Sequence, residues 1–276
     1  MSEQEITNIV PISTPNDFLA KKAAECEVYY NSTKKDKVNW LIYGDYGTGK
    51  TTLLTTAIRP IYVFSFDPGG CTVLEDMPPG SAVLDTAYEI ENRKHPSAFS
   101  KWETTYQKLK QSDAFSRCGT VVIDSLTNFG EALMNHIIAK AGRPDTTPQI
   151  QDYYTLQAAL RDIISDCTNL PCDFILTAHI GTDKDQLTGR LIADILIPGK
   201  AAPKFIPLQF SEVLVTLVTD GPNKKPHYGL LTAPQSYFKA RTRIGRGGKF
   251  ELVEEPDLCA LRAKAGKPIT HLPNLT

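Results

Sequence analysis

Short apolar runs alternate with helix-like segments along the first two-thirds of the chain. Runs such as 120–124 (TVVID) are almost wholly apolar or β-branched and too short for a helix, which is typical of strands buried on both faces. The predicted strands are 38–44, 61–66, 82–84, 120–124 and 173–180, and the predicted helices are 17–30, 50–58, 97–111, 126–141 and 151–168. This alternation predicts an α/β fold, with a mostly parallel sheet and helices on both faces.

The last third of the chain has a different pattern. Residues 181–199 are polar without a clear period, and three strand-like runs follow, separated by turn-forming residues. These runs are 212–218, 227–233 and 236–244. They predict an antiparallel β extension at the C-terminal end of the core. We therefore expect an N-terminal arm and helix over 1–35, one α/β core over 36–250, and a tail with one short helix over 251–276.

Composition excludes several classes of protein. The 276 residues are 41% hydrophobic and 22% charged, which suits a globular core and argues against a mostly disordered chain. The net charge of −1 excludes a globally basic nucleic-acid coat but allows a local basic patch. No apolar run approaches the roughly 20 residues of a membrane span, and we see no secretory signal. The six cysteines form no CxxC pair, so we expect reduced thiols in a cytoplasmic protein.

A glycine-rich segment follows the first predicted strand and opens the next helix. Residues 44–51 read GDYGTGKT, which fits G-x-x-x-x-G-K-[ST] at every fixed position. The glycines let backbone N–H groups surround phosphate oxygens, and the helix N-terminus adds partial positive charge. The alternative, a glycine-rich turn with a surface lysine, matches by chance in roughly one chain per hundred of this length. The predicted nucleotide-binding residues are Gly44, Asp45, Tyr46, Gly47, Thr48, Gly49, Lys50, Thr51 and Thr52.

Three side chains are expected to hold Mg·ATP. Lys50 should reach the β- and γ-phosphates, and the Thr51 hydroxyl should ligate Mg²⁺. Asp124 ends the strand 120–124, where P-loop NTPases place the aspartate that binds the same ion. The alternative for Asp124 is a helix cap, because Asp-Ser often precedes a helix.

The water-activating carboxylate needs a separate source. Many P-loop ATPases have glutamate directly after the magnesium aspartate, but here that residue is Ser125. Asp67, at the end of the strand 61–66, is the first candidate, and Glu75, further along the same loop, is the second. Asp67 also lies in the sequence Asp-Pro-Gly-Gly, so a turn-forming role is an equal alternative.

The GDYGTGKT segment, the TVVIDS strand and the β-rich ending resemble the RecA superfamily of P-loop ATPases over about residues 36–250. The resemblance implies ATP and Mg²⁺ as ligands. In ILTAHI it implies that His179 senses the γ-phosphate, at a position that is usually Gln in recombinases. It further implies that loops 142–149 and 181–205 contact single-stranded DNA, although solvated loops are the alternative. The implied DNA-contacting residues are Arg143, Lys184, Arg190, Lys200 and Lys204.

Residues 221–250 carry the clearest basic patch, with seven Lys or Arg and no Asp or Glu. Lys239, Arg241 and Arg243 alternate, so on the predicted strand they share one face. The segment FKARTRIG resembles the strand by which RecA-type proteins send two cationic side chains into the neighbouring subunit's nucleotide. This implies that Arg241 and Arg243 act as arginine fingers. A solvated edge strand protected by positive charge is the alternative.

Within the superfamily, the chain most resembles phage-encoded recombination ATPases of the single-strand-annealing type. The resemblance implies an ATPase that forms a homo-oligomeric ring or filament and acts on single-stranded DNA in annealing or strand exchange. It also implies a single-stranded-DNA-binding protein as a partner. Two alternatives stay open: a ring helicase or translocase motor with the same core, and a nucleotide-gated binding module with little hydrolysis.

Overall fold

The structure is a computed structural model that describes residues 15–30, 36–184, 189, 191–221 and 224–275. It divides into two units, residues 1–37 and 38–276. The first unit contains the helix α1 (Pro15–Tyr30), which the sequence predicted from Asp17. Residues 1–14 of the predicted arm lie outside the described residues. The second unit contains the sheet and the other helices.

The second unit alternates strands with helices along the chain. Its strands are β1 (Asn39–Gly44), β2 (Ile61–Ser65), β3 (Ala82–Asp85), β4 (Thr120–Asp124), β5 (Asp173–Lys184), β6 (Leu191–Ile195), β7 (Glu212–Asp220), β8 (Pro226–Leu231) and β9 (Val253–Glu254). Its helices are α2 (Lys50–Leu54), α3 (Ala98–Gln111), α4 (Leu126–Lys140), α5 (Ile150–Thr168), α6 (Ala202–Phe205) and α7 (Leu258–Ala265). None of the described helices has the length and apolar character needed to cross a membrane.

The strands form a sheet in the order β3-β2-β4-β5-β1-β7-β8-β9, with β6 paired to β5. The pairs from β3 to β7 are parallel, whereas β6, β8 and β9 run antiparallel to their partners. Successive residues of β1 point to opposite faces of the sheet. Leu41 packs in a cluster with residues of α3, α4 and α5. Ile42 packs in a cluster with residues of α2 and α7. The predicted α/β fold with a covered parallel sheet and an antiparallel extension is therefore confirmed.

The sheet order brings distant chain segments to one edge. β5 lies between β1 and β4, and the three strands are parallel. Gly44 at the end of β1 pairs with His179 of β5, and Asp124 ends β4 on the other side of β5. The carboxyl ends of parallel strands meet at the same edge, which is where open α/β sheets bind ligands. We therefore look for the site at this edge.

Helix α2 is shorter than the sequence predicted, because it ends at Leu54 and not near Ile58. The backbone N–H groups of Thr55, Thr56 and Ala57 donate to carbonyls three residues earlier, which tightens the chain into a 3₁₀-like turn. The hydroxyls of Thr55 and Thr56 donate to carbonyls at the same spacing (2.8 and 2.7 Å). The two threonines thus end the α-helix before Pro60 does.

The predicted strand 236–244 is wrong. This segment makes only isolated bridges, Val213–Arg241 and Gln235–Phe238, among the described residues. The buried carboxylate of Glu212 accepts hydrogen bonds from the N–H groups of Arg243 (2.9 Å) and Ile244 (3.0 Å). A side chain therefore takes the backbone donors that a neighbouring strand would need, and the chain turns there instead of extending the sheet.

The polar stretch 181–199 is more ordered than its sequence pattern indicated. β5 continues beyond the sheet to Lys184 and pairs with β6 as an antiparallel hairpin, from Ile180–Ile195 to Lys184–Leu191. We call residues 180–195 the β5–β6 hairpin. Residues 185–188 and 190, between the two strands in sequence, lie outside the described part of the chain, and the predicted contact Arg190 is among them.

Candidate functional site

The glycine-rich bend between β1 and α2 is built as its sequence predicted. Gly47 and Gly49 have φ of 70° and 86°, in the left-handed region that other residues rarely adopt. A side chain on Gly44 would place its Cβ 2.1 Å from Thr216 Oγ1, so only glycine fits there. The Thr48 hydroxyl lies 2.6 Å from the Thr216 hydroxyl, which fastens the bend to β7. The bend is thus fixed from both sides with its N–H groups at the start of a helix.

Lys50 is the first residue of α2 and is only 7% exposed. Its ammonium donates to the carbonyls of Gly44 (3.1 Å) and Asp45 (2.7 Å). Burial lowers the pKa of Lys50, although the charges of Asp124, Asp67 and Asp45 oppose that shift. A cation held inside a bend at a helix N-terminus provides a binding site for anionic oxygens, as a phosphate chain requires.

The two residues predicted to hold magnesium, Thr51 and Asp124, lie in contact. Thr51 Oγ1 donates to Asp124 Oδ2 at 2.9 Å, and the Thr177 hydroxyl donates to Asp124 Oδ1. Burial raises the pKa of Asp124, which is 1% exposed, and the two hydroxyl hydrogen bonds oppose the rise. Among the described residues, no group of three or more His, Cys, Asp or Glu could hold a metal by itself. One carboxylate and one hydroxyl fit Mg²⁺, which takes its remaining ligands from phosphates and water.

Asp67 lies beside this pair in a network of hydrogen bonds. Its Oδ1 accepts from the Ser125 hydroxyl (2.7 Å) and the Asn128 amide (2.8 Å), and its Oδ2 lies 3.1 Å from His179 Nε2. Burial alone would raise the pKa of Asp67. The hydrogen bonds from His179 and Ser125, together with the nearby charges of His179 and Lys50, outweigh burial and hold that pKa below its ordinary value. Asp67 is thus an ionised carboxylate at neutral pH.

His179 is positioned by its backbone. Its N–H donates to the Thr127 hydroxyl (3.0 Å), and its carbonyl accepts from Leu196 N–H (2.8 Å). Thr127 in turn donates to the Leu196 carbonyl (2.8 Å), so the first turn of α4 holds β5 at His179, the last residue of β5 that pairs with β1. The side chain of His179 is one-third exposed and faces Asp67.

A cavity of about 690 Å³ opens over the bend. Its lining includes residues of the bend, Asp67 and His179, and on the other side Tyr228 and Pro256. Glu75, the second candidate carboxylate, is exposed and does not line this cavity. The structure therefore favours Asp67 over Glu75.

Several polar residues of the site had no sequence signal. Asn128 and Thr127 lie in an ordinary helical pattern, and Thr177 in an ordinary strand. Glu89 braces the loop after β2, because its carboxylate accepts from the Ser65 hydroxyl (2.6 Å) and from Gly69 N–H (3.4 Å). Only the folded sheet brings Asn128 to Asp67, Thr127 to His179 and Thr177 to Asp124.

Two of the predicted cationic contacts are engaged within the chain. The Arg143 guanidinium binds both oxygens of Asp152 (2.7 and 2.9 Å) at the N-terminus of α5. The Arg241 guanidinium donates to the carbonyls of Pro207 (2.7 Å) and Phe210 (2.9 Å). The side chains of Arg143 and Arg241 therefore make structural contacts within this chain. The exposed members of the predicted sets are Lys184, Lys200, Lys204 and Arg243.

The covered parallel sheet, the phosphate bend with Lys50, and the Thr51–Asp124 pair define a RecA-like P-loop ATPase, which binds ATP and typically Mg²⁺. A family model described as an AAA domain (AAA_24) matches residues 36–244. The chain belongs to this family. A comparison with curated proteins finds no match.

Solved structures are similar only at low identity. A KaiC-like protein from Pyrococcus horikoshii OT3 is 13% identical, with a TM-score of 0.37 over 75% of this chain and 82% of its own. The flagellar accessory protein FlaH from Methanocaldococcus jannaschii is 13% identical, with a TM-score of 0.40 over 78% and 83%. An ATPase from the type III secretion system of pathogenic bacteria is 14% identical, with a TM-score of 0.45 over 65% and 52%. Similarity at this level says nothing about substrate or partner.

Proposed function

We propose that the protein is an ATP-dependent DNA recombination protein that assembles as a ring or filament on single-stranded DNA and promotes annealing or strand exchange. The observation that carries this proposal is the position of His179. Its ring contacts Asp67 in the nucleotide cavity, while its strand continues outward into the β5–β6 hairpin. The sequence of that hairpin resembles a DNA-contacting loop. A short path therefore joins the nucleotide to the proposed DNA contact.

The cavity residues suit ATP hydrolysis. Bound Mg·ATP supplies the phosphoryl group that is transferred to water. Lys50 holds the phosphate oxygens, and Thr51 and Asp124 hold the ion. Asp67 orients the attacking water and accepts its proton. Oδ2 of Asp67 has one described hydrogen-bond partner and Oδ1 has two, so Oδ2 is the oxygen with room for that water.

Arg243 is the finger candidate that remains, and it would act between subunits. Glu212 pairs with Trp40 at the start of β7, whereas Thr216 pairs with Gly44 at the phosphate edge. Because Arg243 N–H is bound to the Glu212 carboxylate, Arg243 lies about four strand residues, or ~13 Å, from the bend along the sheet. It does not line the cavity of its own chain. An exposed guanidinium near the start of β7, away from the phosphate bend of its own chain, suits the nucleotide of a neighbouring copy.

The test is ATP turnover by the full chain with and without a single-stranded oligo-dT. We expect the oligonucleotide to stimulate turnover and to bind in a salt-dependent manner. Replacing Lys184, Lys200 and Lys204 by Ala should reduce the slope of log affinity against log salt by about 2, since each lost phosphate contact contributes about 0.7 on a single strand. The matched control replaces three exposed lysines of α3, Lys101, Lys108 and Lys110. A turnover rate unchanged by DNA, with no DNA binding, would overturn the proposal.

A nucleotide-gated binding module with little hydrolysis is the second candidate. It is favoured by one observation: Asp67, the one carboxylate among the described residues that line the cavity, already accepts three hydrogen bonds. A carboxylate so engaged is a weak base. The same assay separates the candidates, because the module binds DNA in response to ATP without stimulated turnover.

A further inference from the structure

A glutamate outside the nucleotide cavity supports the loop that carries Asp67. Glu89 follows β3, which runs parallel to β2, and it does not line the cavity. Its Oε1 accepts from the Ser65 hydroxyl at 2.6 Å, and its Oε2 accepts from Gly69 N–H at 3.4 Å. Ser65 lies two residues before Asp67 and Gly69 lies two residues after it. One carboxylate therefore holds the chain on both sides of the candidate base.

Asp67 is the first residue of this loop that the sheet does not hold. The β2–β4 register pairs Ser65 with Asp124, and Phe66 N–H donates to the Asp124 carbonyl at 2.6 Å. From Asp67 onward the backbone depends on contacts within the loop, such as the 2.9 Å hydrogen bond from Gly70 N–H to the Asp67 carbonyl, and on Glu89. The position of the Asp67 backbone is therefore sensitive to a support from outside the strand.

The Ser65 hydroxyl shows what the loss of that support would do. A hydroxyl has one proton to donate. The Ser65 hydroxyl lies 2.6 Å from Glu89 Oε1 and 3.4 Å from the Asp67 carbonyl, so the shorter contact takes the proton. Without the Glu89 carboxylate, that proton would turn to the Asp67 carbonyl, and Gly69 N–H would lose its described acceptor. Both changes act on the backbone that carries the Asp67 side chain.

Glu89 is itself held in place by the residues that follow it. Two residues further along, the Glu91 carboxylate accepts from Ala98 N–H at 3.0 Å, at the start of α3. Two residues beyond that, the Arg93 carbonyl accepts from Asp145 N–H at 3.1 Å. The segment after Glu89 is thus anchored to a helix and to a second loop. Its carboxylate therefore acts on the Asp67 loop from a fixed position.

We propose that Glu89 is a positioning residue for ATP hydrolysis, which keeps the Asp67 carboxylate directed at the attacking water without lining the nucleotide cavity. The proposal rests on the role given to Asp67 under the proposed function, but not on DNA binding. The Asp67 side chain is oriented by its contacts with Ser125, Asn128 and His179. Glu89 fixes the backbone from which that side chain extends, and hydrolysis requires both.

The experiment measures ATP turnover without DNA, and equilibrium binding of a non-hydrolysable ATP analogue, by the full-length protein with Mg²⁺. Glu89→Ala should lower kcat about ten- to a hundredfold, the cost of a misplacement of about 1 Å, and leave analogue binding unchanged. Glu89→Gln should keep most of the turnover, because its amide oxygen can still accept from the Ser65 hydroxyl. The matched control is Glu103→Ala, which removes an exposed glutamate of α3 and should change neither quantity.

A double-mutant cycle tests whether Glu89 acts through Asp67. A merely structural role would lower turnover by the same factor whether or not residue 67 is a carboxylate. A positioning role predicts that Glu89→Ala costs less than about twofold in the Asp67→Asn background, because the group that it positions is already lost. Analogue binding by the double variant, equal to that of the wild type, shows that the protein compared is folded.

Several results would overturn this inference. Glu89→Ala could turn over ATP as fast as the wild type, or Glu89→Gln could be as slow as Glu89→Ala. A loss of analogue binding that matches the loss of turnover would make Glu89 a support of the phosphate bend. An equal loss in the Asp67→Asn background would give Glu89 a role independent of Asp67.

The same measurements separate this inference from the proposed function. Absence of stimulation by DNA would overturn the proposed action on DNA and leave the role of Glu89 intact, since turnover is measured here without DNA. Wild-type turnover by Asp67→Asn would overturn the hydrolytic role of Asp67 and this inference together. A slow Asp67→Asn with a fast Glu89→Ala would overturn this inference alone.

Discussion

Two buried aspartates lie at opposite edges of the sheet. Asp173 begins β5 and Asp124 ends β4; they are 5% and 1% exposed. Burial raises the pKa of both carboxyls. The Asp173 carboxylate accepts from the Arg262 guanidinium (2.7 Å) and from Val38 N–H (2.9 Å). The hydrogen bonds described for Asp124 come instead from the hydroxyls of Thr51 and Thr177.

The difference separates a structural ion pair from a ligand site. Arg262 of α7 is itself buried, so Asp173 carries its counter-charge within the fold and ties the tail to the core. Asp124 has the Lys50 charge nearby, but the Lys50 ammonium is bonded to two backbone carbonyls. Hydroxyl donors satisfy the geometry of a carboxylate without neutralising it. The hydroxyl of Thr51 and the carboxylate of Asp124 beside the phosphate bend therefore fit a bound cation such as Mg²⁺.

Removing the charge of Arg262, which balances that of Asp173, should have the largest effect on stability. We expect Arg262→Met to lower the free energy of unfolding by about 3–5 kcal/mol, because it leaves the Asp173 charge buried without its partner. Urea unfolding followed by circular dichroism measures the change. ATP affinity of the folded protein should be unaffected, since Arg262 and Asp173 lie at the edge opposite the bend.

Two variants check that result. Lys110→Met removes the exposed Lys110–Asp166 pair and should cost below about 1 kcal/mol. Adding Asp173→Asn to Arg262→Met should recover part of the loss, because the buried charge is then gone. An Arg262→Met protein as stable as the Lys110→Met control would mean that Asp173 does not depend on its partner.

The phosphate bend and the Thr51–Asp124 pair were predictable because their signals are local. The motif predicts the bend, and a continuous apolar run that ends in aspartate predicts Asp124 as the magnesium carboxylate. The Asp173–Arg262 pair and the Asp67 network join residues that are far apart in sequence, and no short pattern encodes their contact. Whether these residues meet depends on the register between strands that are distant in sequence.

The wrong strand prediction at 236–244 has a related cause. Alternating polar and apolar residues predicted a strand, but the pattern does not show which groups compete for its backbone donors. Glu212, buried at the start of β7, takes the N–H groups of Arg243 and Ile244. Tertiary contacts therefore override the local preference. The shared strand face that the alternation predicted for Arg241 and Arg243 is therefore not formed.

Removing the charge of Asp124 should have the next largest effect. Unlike the loss of Arg262, it should lower ATP turnover and raise the stability of the ligand-free protein. We expect Asp124→Asn to lower ATP turnover by about a hundredfold or more, since several kcal/mol of transition-state stabilisation depend on the ion it binds. The same variant should stabilise the ligand-free protein by on the order of 1 kcal/mol, because a buried charge is gone. Turnover assays and thermal unfolding with and without Mg·ATP measure both effects.

Asp173→Asn is the matched control for that variant. It should destabilise the protein, because it leaves Arg262 without its carboxylate, and should leave turnover per folded molecule unchanged. The contrast would fail if Asp124→Asn destabilised the ligand-free protein as much as Asp173→Asn does. It would also fail if Asp124→Asn kept the wild-type stabilisation by Mg·ATP.

The smallest effect is a difference in pH dependence between the two aspartates of the site. The folded-state pKa of Asp67 lies below its unfolded value of about 3.9, so its stabilisation is complete above about pH 5 and is lost as pH falls through the folded pKa. The folded-state pKa of Asp124 is raised, so the wild type should lose stability relative to Asp124→Asn as pH rises from about 4. Urea unfolding of wild type, Asp67→Asn and Asp124→Asn between about pH 2 and 7 measures both differences. Parallel curves for the two variants would show that the two carboxylates titrate alike, which would contradict the opposite shifts in their pKa values.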